Sequence, residues 1–220
     1  MSAWRVRSPI IAGAATALAL TACGSAQRQD ADEPSGNFPV AITAARFPAT
    51  QRLAQRTRLV IAVRNAGAHS IPNVAVTICN VTCAHPSASG EGSTAGAFAA
   101  NITQPYLANA SRPLWIVTRS PGRCGYGCAG GGRGAAVTAY NNTWALGRLA
   151  PGHTARFDWV VTAVQAGRHV VAWQVAAGLN GKAKAVLRDG SSPHGRFLVH
   201  VSGRPQRYAV NSRGQIVVVR

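Results

Sequence analysis

Carboxylates are scarce in this 220-residue chain. Six Asp and Glu stand against 23 Lys and Arg, a formal +17 at pH 7. Glycoside hydrolysis by paired carboxylates needs two suitably placed acids, and so few acids leave little room for it. Histidine motifs for metal are missing as well: the six histidines never fall in an H-E-x-x-H or H-x-H spacing. No G-x-S-x-G elbow is present, and the glycine-rich stretch at 130–134 lacks the Lys-Ser/Thr of a phosphate loop. Charged residues make up only 13% of the chain and aromatics 6%. What is present is apolar: 47% of the residues are hydrophobic, enough to exclude a self-repelling disordered chain. With 23 Gly and 12 Pro, the composition points to one turn-rich domain of sandwich size.

The N-terminus reads as an export signal. Arg5 and Arg7 form a positive start, and the 14 residues at 9–22 carry no charge. That run is shorter than the roughly 20 residues a spanning helix needs and suits a signal-peptide core. Leu20-Thr21-Ala22-Cys23, followed by Gly24-Ser25, resembles the lipobox of bacterial lipoproteins. The resemblance implies cleavage before Cys23 and transfer of a diacylglyceryl group to its thiolate. Two acyl chains, at about 0.8 kcal/mol per buried methylene, suffice for stable anchoring. Cleavage removes two arginines and no acid, so +17 becomes +15 in the mature chain. Residues 24–37 are small and polar and hold Asp30, Asp32 and Glu33. They read as a flexible tether.

From Phe38 onward, short segments rich in Val, Ile, Thr and Trp alternate with Gly, Pro, Asn and Ser. This pattern predicts strands at 39–47, 57–65, 72–79, 112–118, 136–146, 153–165, 168–177, 196–202 and 207–219. Glycines close the turns Asn65-Ala66-Gly67, Pro151-Gly152 and Gln165-Ala166-Gly167, where a positive φ is often required. Strands without intervening helices predict an all-β fold, a single Ig-like antiparallel β-sandwich. The division is 1–22 signal peptide, 23–37 lipidated cysteine and tether, 38–203 sandwich, and 204–220 a C-terminal hairpin or tail. Asn180-Gly181 reads as a hairpin corner, and Ser212-Arg213-Gly214 as the turn of the last hairpin.

The same residues carry a family likeness. Val63-Arg64-Asn65-Ala66-Gly67, then Ile71-Pro72-Asn73-Val74-Ala75-Val76, is similar to a pattern of bacterial surface Ig-like repeats related to CARDB-type cell-adhesion domains. Leu149-Ala150-Pro151-Gly152-His153-Thr154 and Gln165-Ala166-Gly167 resemble the turn-strand-turn of that family. The resemblance covers about half of the chain and implies spacer, adhesion or scaffold roles. This chain departs from it by long insertions at 80–111 and 119–135.

Once Cys23 is assigned to lipid, Cys79, Cys83, Cys124 and Cys128 remain, as two C-x-x-x-C pairs. An even count in an exported protein favours disulfides. On a straight strand the α-carbons of either pair lie about 13 Å apart, beyond disulfide reach. Each pair therefore closes a turn or bridges to the other. All three connectivities stay open, with the glycine-rich 124–128 segment the more permissive of the two. A four-cysteine zinc site fits the spacing, and a thiol-redox role lacks the C-x-x-C spacing.

These features point to a non-catalytic, lipid-anchored binding, adhesion or scaffold module on the outer face of the cell membrane, with no cofactor and no metal. The alternatives are a secreted hydrolase or thiol-redox enzyme and an envelope protein binding metal through the four cysteines. The insertions are the expected recognition surface, with Phe98, Tyr106, Tyr126 and Arg133 its candidate residues; Trp115 is expected in the core. Asp158, between Phe157 and Trp159, should face outward and meet an arginine. The charge points to the membrane, to anionic envelope polymers or to another envelope protein. Nucleic acid, which such a surface binds nonspecifically, is not expected as a partner in vivo.

Overall fold

The computed structural model describes residues 32–81, 83, 97–100, 113–122, 137–138 and 143–219. Among them every regular element is a strand. In chain order these are β1 (Gly36–Arg46), β2 (Thr50–Leu53), β3 (Arg56–Asn65), β4 (Ala75–Asn80), β5 (Phe98–Ala100), β6 (Trp115–Arg119) and β7 (Val137–Thr138). They continue with β8 (Thr143–Ala145), β9 (Thr154–Ala163), β10 (Gly167–Ala176), β11 (Ala183–Val186), β12 (His194–Pro205), β13 (Arg207–Val210) and β14 (Ile216–Val219). One sheet has the order β11-β1-β3-β9-β6-β5 and the other β2-β12-β10-β4-β8-β7. The two enclose one apolar core, the Ig-like sandwich expected from the sequence.

Alternation decides which side chains enter that core. On β9, Phe157, Trp159 and Val161 are fully buried, and on the paired β3 so are Leu59, Ile61 and Val63. Phe98, Trp115 and Trp144 join them from β5, β6 and β8. Phe98 meets Trp115, Trp144 and Trp159 edge-on, with centroids 6.1, 6.3 and 6.5 Å apart, the arrangement that ring quadrupoles prefer. Each such side chain stabilises the fold by about 1.5–3 kcal/mol through burial. Trp115 also donates its indole N–H to Gln51, 2.9 Å away and buried with it.

Several expectations need correction. The sheets are mixed rather than antiparallel: β1 pairs β11, β5 pairs β6 and β2 pairs β12 in parallel. Segment 136–146 holds two short strands, not one. Segment 80–111 is not all insertion, because β5 lies inside it and completes the first sheet. Residues 33–37, assigned above to a tether, belong to the folded part, since Glu33 is buried and β1 begins at Gly36. At the far end β12 runs through Arg204 to Pro205, across the expected boundary. Asn180-Gly181 turns the chain, with Gly181 at φ +80°, but makes no hairpin. It carries the chain from β10 in one sheet to β11 in the other.

The glycine turns also separate by cause. Gly152 and Gly167 adopt φ of +73° and +129°, a region costly for residues with a Cβ. Gly67 is needed for room, because a Cβ there would lie 2.9 Å from the Pro39 ring. Beside it, Asn65 donates to the carbonyls of His69 and Leu149 and accepts from the Gly67 N–H. That bonding gives the Asn-Ala-Gly motif its physical content.

Candidate binding groove

An open groove of about 950 Å³ lies at one end of the sandwich, along β10, β11 and the start of β12. Its floor includes Trp173, whose indole lies over Gly195; a Cβ at 195 would come within 2.5 Å of the ring. Phe197 packs against that indole with centroids 6.5 Å apart. Lys184, His194 and Arg196 line the groove together with Asn37, Gln174 and Ser192, and no Asp or Glu is among its described lining residues. Alternation places Gln174, His194 and Arg196 on the outer face of their sheet, where Gln174 is level with His194 and Ala172 with Arg196. His194 is held by a 2.8 Å contact from Nδ1 to the Ser192 carbonyl. Lys184 and Arg196, with no described carboxylate beside them, favour negative charge in whatever occupies the groove.

Two devices frame the groove. The first is a disulfide between Cys79 and Cys83, with α-carbons 5.3 Å apart. The 79–83 segment, the less permissive one by sequence, closes because Val81 takes φ +66°. Left-handed backbone at a β-branched residue is uncommon, which is why composition alone argued against this turn. Val81 and Cys83 border the groove, so the first insertion departs from its edge. While this disulfide is intact, neither sulfur is a thiolate, so neither can serve a zinc site.

The second device is Glu33. One carboxylate oxygen accepts the N–H groups of Leu179 and Asn180 at 2.6 and 2.8 Å, and the other accepts that of Ala183 at 2.7 Å. Burial pushes the carboxyl up, but the backbone N–H bonds from Ala183, Asn180, Leu179 and Lys182 outweigh it and hold its pKa below the usual value. Gly178 leaves the space: a Cβ there would lie 2.1–2.3 Å from the carboxylate. The residue read as part of a loose tether is thus a clasp on the 178–183 crossover.

The remaining expected residues fall elsewhere. Phe98, named for the recognition surface, is 2% exposed and belongs to the core; β5 draws it inward. Trp115 is buried, as expected. Tyr106, Tyr126, Arg133, Cys124, Cys128, Cys23 with its leader, His85 and Glu91 lie outside the described residues. Asp158 faces outward and pairs with Arg58, Nε to Oδ1 at 3.1 Å, with Arg119 and Arg156 at 3.9 and 4.0 Å. This exposed cluster contributes little to stability. Asp189 accepts from Ser191 Oγ and N at 2.6 and 3.0 Å, bonds that hold its carboxyl below the ordinary range. His169 sits edge-on to Trp115 with its Nε2 3.2 Å from the Gln165 carbonyl. The groove itself escaped the sequence reading, since its parts lie as far apart as Asn37 and Arg196.

No family model and no curated protein matches the chain. Similar solved structures include the native conformation of E. coli alpha-2-macroglobulin, 14% identical at a TM-score of 0.37, over 76% of this chain and 7% of that one. A CARDB domain from Pyrococcus furiosus is 9% identical at 0.37, over 76% of this chain and 93% of that one. A cohesin module of a Clostridium perfringens family 33 glycoside hydrolase is 8% identical at 0.37, over 76% and 98%.

Proposed function

We propose that this chain is an exported envelope protein, anchored at a lipidated Cys23, whose sandwich is a non-catalytic binding module for anionic envelope polymers. The observation that carries the reading is the groove, lined by Lys184, His194 and Arg196 with no carboxylate among its described lining residues. The surplus of 23 basic over 6 acidic residues favours the same ligand charge. Three of the six carboxylates, Glu33, Asp158 and Asp189, are each bound up in structural contacts rather than free for catalysis. The clasp at Glu33 suits a tethered module, because it fixes the point at which the chain from Cys23 joins the sandwich.

The test measures binding of the protein to poly(glycerol phosphate), with neutral dextran as the uncharged control. The pair Lys184→Ala and Arg196→Ala should weaken binding of the phosphate polymer about tenfold or more. Substituting Arg52 and Arg213, exposed arginines outside the groove, should weaken it much less. Equal loss from both pairs would mean that the charge acts globally and the groove is not the site. Cells fed a labelled fatty acid should mark the protein, and Cys23→Ser should abolish the label, which tests the anchor independently of the ligand and of any other membrane contact.

A further inference from the structure

The C-terminal hairpin is exposed along its whole length: every residue of β13 and β14 is solvent-accessible. Its register pairs Tyr208 with Val218 and Val210 with Ile216. Alternation places those four side chains on one face, and they are 43%, 59%, 69% and 76% exposed. Beyond Tyr208, whose hydroxyl turns to the body, Val210, Ile216 and Val218 present an apolar face to water, the mark of an interaction site, and a lone two-stranded ribbon is marginal without cover. Only its root is fastened. Gln206 N donates to the Leu53 carbonyl at 2.7 Å, and the Tyr208 hydroxyl donates to the Ala54 carbonyl at 3.0 Å.

Charge identifies the cover. From Gly190 to the C-terminus the sequence holds Arg196, Arg204, Arg207, Arg213 and Arg220 and no Asp or Glu. Arg204, Arg207 and Arg213 are exposed around the hairpin. A second copy of a chain this basic would be repelled, whereas aliphatic side chains bordered by arginines match the headgroup region of an anionic bilayer.

We infer that the β13–β14 hairpin is a second membrane contact, its Val210–Ile216–Val218 face entering the interface of an anionic bilayer. The orientation it imposes rests on the lipid-anchored reading above. β1 and β3 are antiparallel, with Val40 opposite Asn65, so Glu33 and the start of β3 lie at opposite ends of the sandwich. The hairpin sits at the β3 start. Ten residues from Cys23 to Glu33 reach at most roughly 35 Å, and the twelve residues of β12 span about 40 Å. Both contacts therefore meet one bilayer when the sandwich lies on its side, held at each end.

The experiment uses a chain that begins at residue 23 with Cys23→Ser, so that neither the apolar leader nor an acyl group contributes. Sedimentation is followed with vesicles of phosphatidylglycerol and phosphatidylcholine in equal parts, and with phosphatidylcholine alone. Binding should require the anionic lipid, and Ile216→Asp with Val218→Asp should lower it roughly tenfold or more. Leu198→Asp, which introduces the same kind of charge at a residue 70% exposed elsewhere, should leave it within about twofold. A chain ending at Gln206 serves as the second variant and should bind as weakly as the double substitution. Equal loss from Leu198→Asp, or no loss from the hairpin variants, would overturn the inference in favour of general electrostatic adhesion. A dimer in solution that Ile216→Asp dissolves would overturn it in favour of a second copy, and the absence of vesicle binding would overturn it outright. None of these outcomes depends on whether Cys23 is lipidated, which fatty-acid labelling decides.

Discussion

At the scale of single residues, Glu33 combines burial, charge and backbone bonding in one side chain. A hydrogen bond to a charged group contributes about 1.5–3 kcal/mol net to stability. Glu33→Gln keeps an acceptor but loses the charge and turns an amide N–H₂ toward backbone donors, so it should cost about 1–3 kcal/mol in urea unfolding. Gly178→Ala should cost a similar amount, because its methyl would displace the same carboxylate. The two should be strongly non-additive, since either alone releases the clasp. The pH dependence has a definite sign. The folded pKa lies below the ordinary value, so the unfolded state binds the proton at higher pH. The stabilisation is complete above the unfolded carboxylate range and is lost as pH falls through the folded pKa. Unfolding followed across that window should show the native protein losing stability on the acid side and Glu33→Gln losing less. Nothing in the sequence marked Glu33 as special, because its partners are backbone amides 146–150 positions away. Asn65 differs: its partners are largely local, and the Asn-Ala-Gly motif was readable for that reason.

At the scale of elements, the strands that could be read are the long central ones. β3, β9 and β10 each have ten residues, and their apolar positions alternate or run continuously because both neighbours cover them. β2, β5 and β11 have four, three and four residues. Each owes its conformation to a parallel pairing rather than to its own pattern, so local sequence did not reveal it. Phe98 was misplaced for the same reason, as a surface residue until β5 carried it inward. The Cys79–Cys83 turn is the element most open to test. Its loop is short, so the chain-entropy account limits its stabilisation to about 2 kcal/mol. Reduction should lower stability by no more than that and leave the sandwich folded, with altered ligand binding because Val81 and Cys83 border the groove. Comparing unfolding and polymer binding with and without reductant separates the two effects. A collapse of the fold on reduction would show that the disulfide holds the sheets rather than the groove edge.

At the scale of the molecule, the two ends of the sandwich differ in kind. One end holds the Glu33 clasp, the crossover and the groove; the other holds the C-terminal hairpin, joined to the body by a few backbone and hydroxyl bonds. Fold class was legible in the sequence because it follows from strand periodicity. This polarity was not, because it arises where residues 177–182 change sheets and where β12 continues past the expected boundary. The polarity makes a prediction about cooperativity. The core cluster runs from Val40 to Val201, and no residue of the hairpin belongs to it. Removing exposed residues that bury no core surface changes stability by about 0.5 kcal/mol or less. A chain ending at Gln206 retains the Leu53 contact and should melt within about 3 °C of the full chain. Tyr208 is the one hairpin side chain with described partners in the body, at the Ala54 carbonyl and the Arg56 N–H. If the truncation instead lowers the melting temperature by about 8 °C or more, those bonds must be bracing Ala54, a non-glycine residue at φ +58°, and Tyr208→Phe in the full chain should reproduce most of the loss. A small shift for both variants means that the hairpin is an appendage whose apolar face is kept for an interaction rather than for the fold.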